Sequence, residues 1–318
     1  MKQKLVLLLA LSLIAPLHVS GNPGGVGNSL ENMQCGGACH GDANQNATSH
    51  LQLSLQPSGT VWVGQPTEIT VQISEIDTSH DVDQIGIFLL SSTNANNDIP
   101  TTDGWSILSD GMGGSNNYIE YASIDSNVLT HSWILRADEV GKKLLYVSVH
   151  HGDNSGTDAG SPFFGVSQAF EVTVEAIPDN LQRIDPEYQP PTSREIGEST
   201  TLCLETIAAS DVVIEWRELS GESYQVETTQ NKECWNAVLP SALKASTIEW
   251  RAILDGEGPQ QTTPWFSLTS TEPTWEADET ALMLQSIAHL VLFFGLVILV
   301  RKPKRSDDGF KVYTEESL

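Results

Sequence analysis

The sequence predicts an all-β protein with two antiparallel β-sandwich domains, followed by one C-terminal transmembrane helix. Residues 51–55, 67–73 and 169–174 alternate apolar and polar side chains, which is the period of half-buried strands. Residues 91–104 and 109–117 are rich in Gly, Asn, Asp and Ser, which favour loops. No long stretch outside the C-terminal apolar run has a helical period. These observations together predict the fold class.

Two segments are apolar almost without interruption, at residues 85–90 and 144–149. Strands that are covered on both faces have this composition, so we expect both segments to be central strands of a sheet. A proline-bearing connector at residues 177–192 then separates two strand-rich regions. The predicted β-sandwich domains are residues 46–176 and residues 177–272.

The N-terminus has the three parts of a secretory signal peptide. Lys2 and Lys4 precede an apolar run at residues 5–17, and small residues follow at positions 19–21. This order of charge, apolar run and small residues predicts a signal peptide at residues 1–21. The mature chain then begins with a Gly-rich segment at residues 22–45.

The C-terminal apolar run is interrupted by the polar residues Gln285, Ser286 and His289. At about 1.5 Å per residue, a helix of this length spans a hydrocarbon core of about 30 Å. The basic residues at 301–305 mark the cytoplasmic side, so the ectodomain is expected outside the cell. The predicted segments are a linker at 273–280, a transmembrane helix at 281–300 and a cytoplasmic tail at 301–318. The chain is therefore predicted to be a single-pass type I cell-membrane protein.

The charge of the chain is strongly acidic, with 16 Lys and Arg residues against 41 Asp and Glu residues. Without the two lysines of the predicted signal peptide and the five basic and four acidic residues of the tail, nine basic and 37 acidic residues remain outside. Such a surface repels nucleic acid and attracts cations or basic partners. A role in nucleic-acid binding is therefore disfavoured.

A motif with chemical potential lies just after the signal peptide, where Cys35 and Cys39 are followed by His40. In the related Cys-x-x-Cys-His motif, two thiols attach haem c covalently and the histidine binds the iron. One extra residue separates the cysteines here. The alternatives are a Cys35–Cys39 disulfide in an oxidising compartment and another metal site.

The N-terminal region resembles the choice-of-anchor V family of extracellular β-sandwich domains, which are similar in outline to Reeler-like domains. The resemblance covers residues 22–175 and rests on the Gly/Pro-rich start at 22–27, the Cys-Cys-His motif, the loop at 151–158 and the strand at 170–174. It implies a surface-anchored module with a cytochrome c-like motif. The sequence departs from the family pattern in the extra residue between the cysteines and in the paired His150 and His151.

A bound haem iron needs a sixth ligand or an open site. His150 or His151, which end an apolar strand, is named as the candidate, although no spacing in the sequence singles out one ligand. Side chains alternate along a strand, so at most one of the two is expected to point at a given site. The further candidates are Met33, His50, His80, Met112 and His131.

The second domain contains Cys203 and Cys234, which are predicted to form a disulfide outside the cell. Trp216 follows Cys203 as a core tryptophan follows the first cysteine of an immunoglobulin domain, but Cys234 comes too early for that family's inter-sheet bridge. Residues 247–254 and 263–268 resemble the last hairpin of a fibronectin type III module. This loose resemblance implies a membrane-proximal spacer.

Two functions follow from these patterns. The first is electron transfer at the cell surface through a c-type haem on Cys35, Cys39 and His40, with a redox partner. The alternative is a non-catalytic surface binding or adhesion protein, in which Cys35–Cys39 is a disulfide and a surface ligand is the partner. Hydrolase, metalloprotease and phosphate-binding motifs are absent from the sequence, so it does not predict an enzyme.

Overall fold

The computed structural model describes residues 47–76, 84–93, 98–122, 124, 126–152, 163–219, 221–232, 234–273 and 279–300. Strands dominate these residues, which confirms the predicted β-rich class. The first group of strands is β1 (Ala47–Thr48), β2 (Gln52–Pro57), β3 (Val61–Trp62), β4 (Pro66–Ser74), β5 (Gln84–Leu90), β6 (Trp105–Ser109), β7 (Tyr118–Ala122), β8 (Val128–Ala137), β9 (Gly141–Gly152), β10 (Phe163–Val166) and β11 (Phe170–Glu175).

These strands form two sheets. One sheet is built around β9, which pairs with β5, β10 and β11, while β7 pairs with β5. The other has the order β2-β4-β8-β6. The central position predicted for residues 85–90 and 144–149 is confirmed, because β5 and β9 each pair with more than one strand. Two short parallel pairs, β1 with β10 and β3 with β11, depart from the predicted antiparallel pattern.

The alternating strands of the two sheets bury a shared apolar core. Ile69 and Trp133 come from the second sheet, and Ile87 and Val147 come from the sheet around β9; all four side chains have 0 % exposure. Each lies on the inward side of its strand, since successive residues of a strand point to opposite faces. Burial of these apolar surfaces is the main favourable contribution to the stability of the sandwich.

A second group of strands follows a connector. It comprises β12 (Arg183–Ile184), β13 (Ser193–Glu195), β14 (Thr200–Leu204), β15 (Thr206–Ile207), β16 (Ala209–Glu218), β17 (Ser223–Val226), β18 (Thr229–Gln230), β19 (Trp235–Leu239), β20 (Ser246–Gly256), β21 (Gln261–Thr262) and β22 (Phe266–Thr271). One sheet has the order β13-β22-β20-β16-β17, a second has the order β14-β19-β18, and β12 and β15 form a two-stranded sheet. The parallel pairing of β13 with β22 departs from the predicted antiparallel pattern. The predicted last hairpin is confirmed, because β20 and β22 pair antiparallel.

The core of this second sandwich is centred on Trp250, which has 0 % exposure and lies 4.8 Å from the ring of Phe266. Trp216, which the cysteine spacing suggested as the core tryptophan, is only half-buried and packs at the side of this core. Trp216 and Trp250 are directly opposite each other on β16 and β20. Trp250 therefore takes the core position that the sequence pattern suggested for Trp216, and Trp216 packs against it from the side.

Strands of the first sandwich also pack against the second. Leu108 of β6 and Ile134 of β8 are buried in the same apolar cluster as Ile184 and Trp250. The side-chain Nε2 of Gln65 donates to the carbonyl oxygen of Ile184 at 3.0 Å. These contacts tie the sheet that contains β8 to the connector and to the second core.

The described C-terminal helix is α1 (Glu279–Val300). It belongs to a compact unit separate from the one that contains the strands. Among the residues that the structure describes, no helix has both the length and the apolar character needed to cross a membrane. The predicted signal peptide and cytoplasmic tail lie outside the described residues.

Candidate functional site

The three residues predicted to bind haem, Cys35, Cys39 and His40, lie outside the described residues. The same holds for the loop at 153–158. The predicted attachment of haem, the alternative Cys35–Cys39 disulfide and the third metal option therefore stay predictions. The candidate sixth ligands His150 and His151 are described, and so are Ser49 and His50 beside them.

His151 lies near the end of β9 and points inward, on the same side of the strand as Val149. Its Nε2 is 2.9 Å from the hydroxyl oxygen of Ser49. Its ring stacks on that of Phe163, with centroids 5.0 Å apart and planes inclined by 10°. Only 6 % of His151 is exposed. The ring is therefore held by one hydrogen bond and one stacking contact.

The surroundings of His151 favour its neutral form. Burial, together with the smaller effect of positive charge on His50 and His150, lowers the pKa of His151 from 6.5 to about 4. The His50 ring lies 6.3 Å from the His151 ring in an edge-to-face arrangement. An uncharged imidazole at neutral pH is a competent metal ligand, but Nε2 is already engaged by Ser49.

His150 points to the opposite face of β9, as predicted from strand alternation. Its ring makes edge contacts with Phe88 at 5.6 Å and with Phe164 at 5.0 Å. The register explains this contact set, since Gly86 of β5 and Phe164 of β10 are directly opposite His150. The structure thus brings His50, His150 and His151 to one end of the sheet, but it places the two rings of the pair on different faces.

A second buried histidine lies in the first sandwich, where β8 carries His131 next to Trp133. The Nδ1 of His131 is 2.9 Å from the hydroxyl oxygen of Tyr121, and its ring lies 4.3 Å from that of Trp133. Burial lowers the pKa of His131 from 6.5 to about 4, although the backbone and the carboxylate of Asp110 act in the opposite direction. His131 is therefore neutral inside the protein at neutral pH.

The predicted loop at residues 109–117 is organised by the buried carboxylate of Asp110. Its Oδ1 accepts hydrogen bonds from the backbone N–H groups of Met112 at 2.8 Å and Gly114 at 2.9 Å. Its Oδ2 accepts from the backbone and the side-chain amide of Asn116. A carboxylate that accepts this many donors satisfies the turn without a ligand. Met112 is exposed at the outside of this loop.

The second sandwich carries a stacked group that sequence reasoning missed. The guanidinium carbons of Arg217 and Arg251 lie 4.0 Å and 4.3 Å from the ring centroid of Trp265. Arg217 also pairs with Glu249 at 2.6 Å, and Arg251 pairs with Glu215 at 2.8 Å. The alternation of opposite charges on the facing strands β16 and β20 was a signal for these pairs. The contact of Trp265 with the two arginines had no comparable signal in the sequence.

The described residues contain no group of three or more His, Cys, Asp or Glu side chains arranged to hold a metal ion. The contacts of the buried His131 and His151 are hydrogen bonds and aromatic packing. Ligation of iron by His151 through Nε2 would have to replace its contact with Ser49. The predicted role of His150 or His151 as sixth ligand stays a prediction.

Comparison with known proteins gives no family assignment, since no protein-family model and no curated protein matches the chain. Alignments with solved structures include a cohesin module from a Clostridium perfringens family 33 glycoside hydrolase, at 12 % identity and a TM-score of 0.30, covering 41 % of this chain and 100 % of that one. Titin Ig tandem domains A164–A165 align at 10 % identity with a TM-score of 0.24, covering 70 % of this chain and 100 % of that one. The N-terminal Ig1-2 module of the Drosophila receptor protein tyrosine phosphatase DLAR aligns at 10 % identity with a TM-score of 0.24, covering 70 % of this chain and 98 % of that one. At these scores the alignments establish neither ancestry nor activity.

Proposed function

We propose that the chain is a non-catalytic binding or adhesion protein of the cell surface. The observation that carries this proposal is the disulfide between Cys203 and Cys234 in the second β-sandwich. Structural disulfides form and persist outside the reducing cytosol, which fits a chain exported by its N-terminal signal. β-Sandwiches are rigid frames that present loops and sheet faces to a ligand.

The polar groups of the first sandwich also favour this proposal over electron transfer. His131, His151 and Asp110 are buried, and each already has hydrogen-bond partners or stacked rings within the sandwich. Groups with such contacts stabilise the first β-sandwich. The resemblance of residues 22–175 to choice-of-anchor V domains is compatible with a surface-displayed module, whichever chemistry Cys35, Cys39 and His40 perform.

The partner is expected to carry positive charge. The ectodomain has 37 acidic and nine basic residues, so its field attracts cationic surfaces and repels nucleic acid. Long-range attraction of this kind is screened by salt, with a Debye length of about 10 Å at 0.1 M. Attachment should therefore weaken as salt rises.

Anchoring in the membrane through residues 281–300 is part of the proposal. Large apolar side chains lie exposed around most of the circumference of helix α1, for example those of Leu284, Leu296 and Val297, which point in three different directions. A helix that is apolar on most of its surface needs an apolar environment. The basic residues at 301–305 would then lie in the cytoplasm and the sandwiches outside.

The first test is the mass and the visible spectrum of the secreted ectodomain, residues 22–278, produced together with a haem-attachment system. The proposal predicts a colourless protein whose mass is lower than that of the reduced chain by four hydrogens, two for each pair among its four cysteines. A mass higher by one haem, with a Soret band that survives acid–acetone extraction, would replace adhesion with electron transfer.

The second test is attachment of cells that display the full chain to a cationic and to an anionic surface. Attachment to the cationic surface that falls with added salt supports the proposed partner class. Equal attachment to both surfaces would refute it.

A further inference from the structure

Helix α1 carries a polar stripe on one of its faces. The polar residues within its apolar run are Gln285, Ser286 and His289, and all three side chains are exposed. The hydroxyl of Ser286 donates to the carbonyl oxygen of Leu282 at 2.8 Å, so its hydrogen bond is satisfied inside the helix. Gln285 and His289 are four residues apart and therefore lie on the same face, one turn above the other.

No described group of the chain forms a hydrogen bond with the side chain of Gln285 or His289. In hydrocarbon an unpaired amide or imidazole costs free energy, because no water is present to replace the missing partner. At about 1.5 Å per residue, His289 lies about 12 Å below Ala281, at the start of the predicted span. An imidazole on so short a side chain does not reach the interface from that depth.

The two side chains are complementary to copies of themselves. The Gln amide has both donor and acceptor atoms, and a neutral imidazole has one of each. Two parallel helices related by a two-fold axis bring identical residues together, so Gln285 can pair with Gln285 and His289 with His289 of the second copy. A lipid molecule offers no such matched set at this depth.

We propose that the chain forms a parallel dimer in the membrane through Gln285 and His289 of helix α1. The inference rests on the proposed membrane anchoring. The dimer holds two ectodomains side by side on one cell. A surface that bears many copies of a cationic ligand then engages both, which raises the avidity without any new contact in the sandwiches.

The test uses the full chain, labelled on its cytoplasmic tail and reconstituted at low density in supported bilayers. Photobleaching steps count the copies in each particle. The wild-type chain is expected to bleach mainly in two steps. The Gln285→Leu/His289→Leu double variant is expected to associate roughly five- to tenfold more weakly, since interhelical hydrogen bonds in membranes are individually modest.

Two matched variants separate the stripe from general changes in the helix. Ile287→Ala/Phe294→Ala alters the opposite face and should keep the wild-type dimer fraction. Gln285→His/His289→Gln exchanges the two side chains, keeps donors and acceptors at both positions, and should also keep it. A double-Leu variant that dimerises as well as the wild type would overturn the proposal.

Failure of the dimer and failure of the anchor give different results. Membranes that contain the full chain are first extracted with alkaline carbonate. A wild-type chain that is released by carbonate refutes the anchor, and the dimer with it. A chain that is retained but bleaches in one step refutes the dimer alone and leaves the proposed anchored adhesion protein standing.

Discussion

Cys203 and Cys234 join neighbouring strands of one sheet, with their Cα atoms 5.3 Å apart. Cys203 lies in β14 opposite Asn236 of β19, and Cys234 immediately precedes β19. The bridge therefore does not cross between the two sheets, as the inter-sheet bridge of an immunoglobulin domain does. The short spacing of 31 residues had already indicated this departure.

Replacement of both cysteines, as Cys203→Ser/Cys234→Ser, should lower the free energy of unfolding of residues 22–278 by about 2–4 kcal/mol. The physical reason is that a bridge closing 31 residues restricts the unfolded chain. Urea unfolding under non-reducing conditions measures the change. Ser223→Ala/Gln225→Ala, two exposed substitutions on β17 within the bridged loop, provides the control. A loss for the cysteine variant no larger than that of the control would contradict the prediction.

Acidification should destabilise the first β-sandwich through His131 and His151. Both have pKa values of about 4 in the folded protein, below the ordinary 6.5, so the unfolded chain binds protons more readily between those values. Stability contributed by their neutral forms is complete above about pH 6.5 and is lost as the pH falls towards 4. The expected loss is on the order of 1–3 kcal/mol for each histidine over that range.

Single variants isolate this effect from the titration of carboxylates. His131→Gln and His151→Gln should each lower stability at pH 7 but show a smaller further loss between pH 7 and pH 4.5 than the wild type. Urea unfolding of the three proteins at the two pH values gives the six free energies of unfolding that the comparison needs. Parallel pH dependences of the wild type and both variants would show that these histidines do not titrate on unfolding.

Local pattern predicted the strands, but contacts between distant segments decided the sites. Alternation of apolar and polar residues located β4 and β11, and a continuous apolar run located β9, because both patterns depend only on residues that are close in sequence. The bond between Ser49 and His151 depends on the parallel pairing of β1 with β10, which no adjacent residues encode. Burial of Trp250 in place of Trp216 likewise depends on which strand lies at the centre of its sheet. The motif of Cys35, Cys39 and His40 could be read from the sequence, but it lies outside the described residues.

The stacked group on the second sandwich should show energetic coupling between Arg217 and Trp265. The guanidinium of Arg217 lies over the indole ring, half-buried and fixed by Glu249, which strengthens a cation–π contact. A double-mutant cycle of Arg217→Ala and Trp265→Ala should give a coupling energy of about 0.5–2 kcal/mol. The pair Lys232→Ala and Trp265→Ala serves as the reference cycle. A coupling energy indistinguishable from the reference would remove the stack as a source of stability.

The contact between Gln65 and the connector should contribute to stability. Its Nε2 donates to the carbonyl oxygens of Gly64 and Ile184, and the Ile184 carbonyl lies in a buried setting. Gln65→Ala leaves that oxygen without its donor, which costs about 1–3 kcal/mol. Arg136→Ala should have a related effect, since Nη1 of Arg136 donates to the carbonyl oxygen of Tyr188 at 2.9 Å.

Hydrogen exchange distinguishes a loosened connector from a uniform loss of stability. In Gln65→Ala, amides of residues 181–188 should exchange faster than in the wild type, by more than the change seen in β20 at the centre of the second core. Gln56→Ala, an exposed substitution on β2, is the matched control and should leave both regions unchanged. Equal acceleration in the connector and in β20 would mean that Gln65 supports the whole fold and not the junction, because local opening and global unfolding expose different sets of amides.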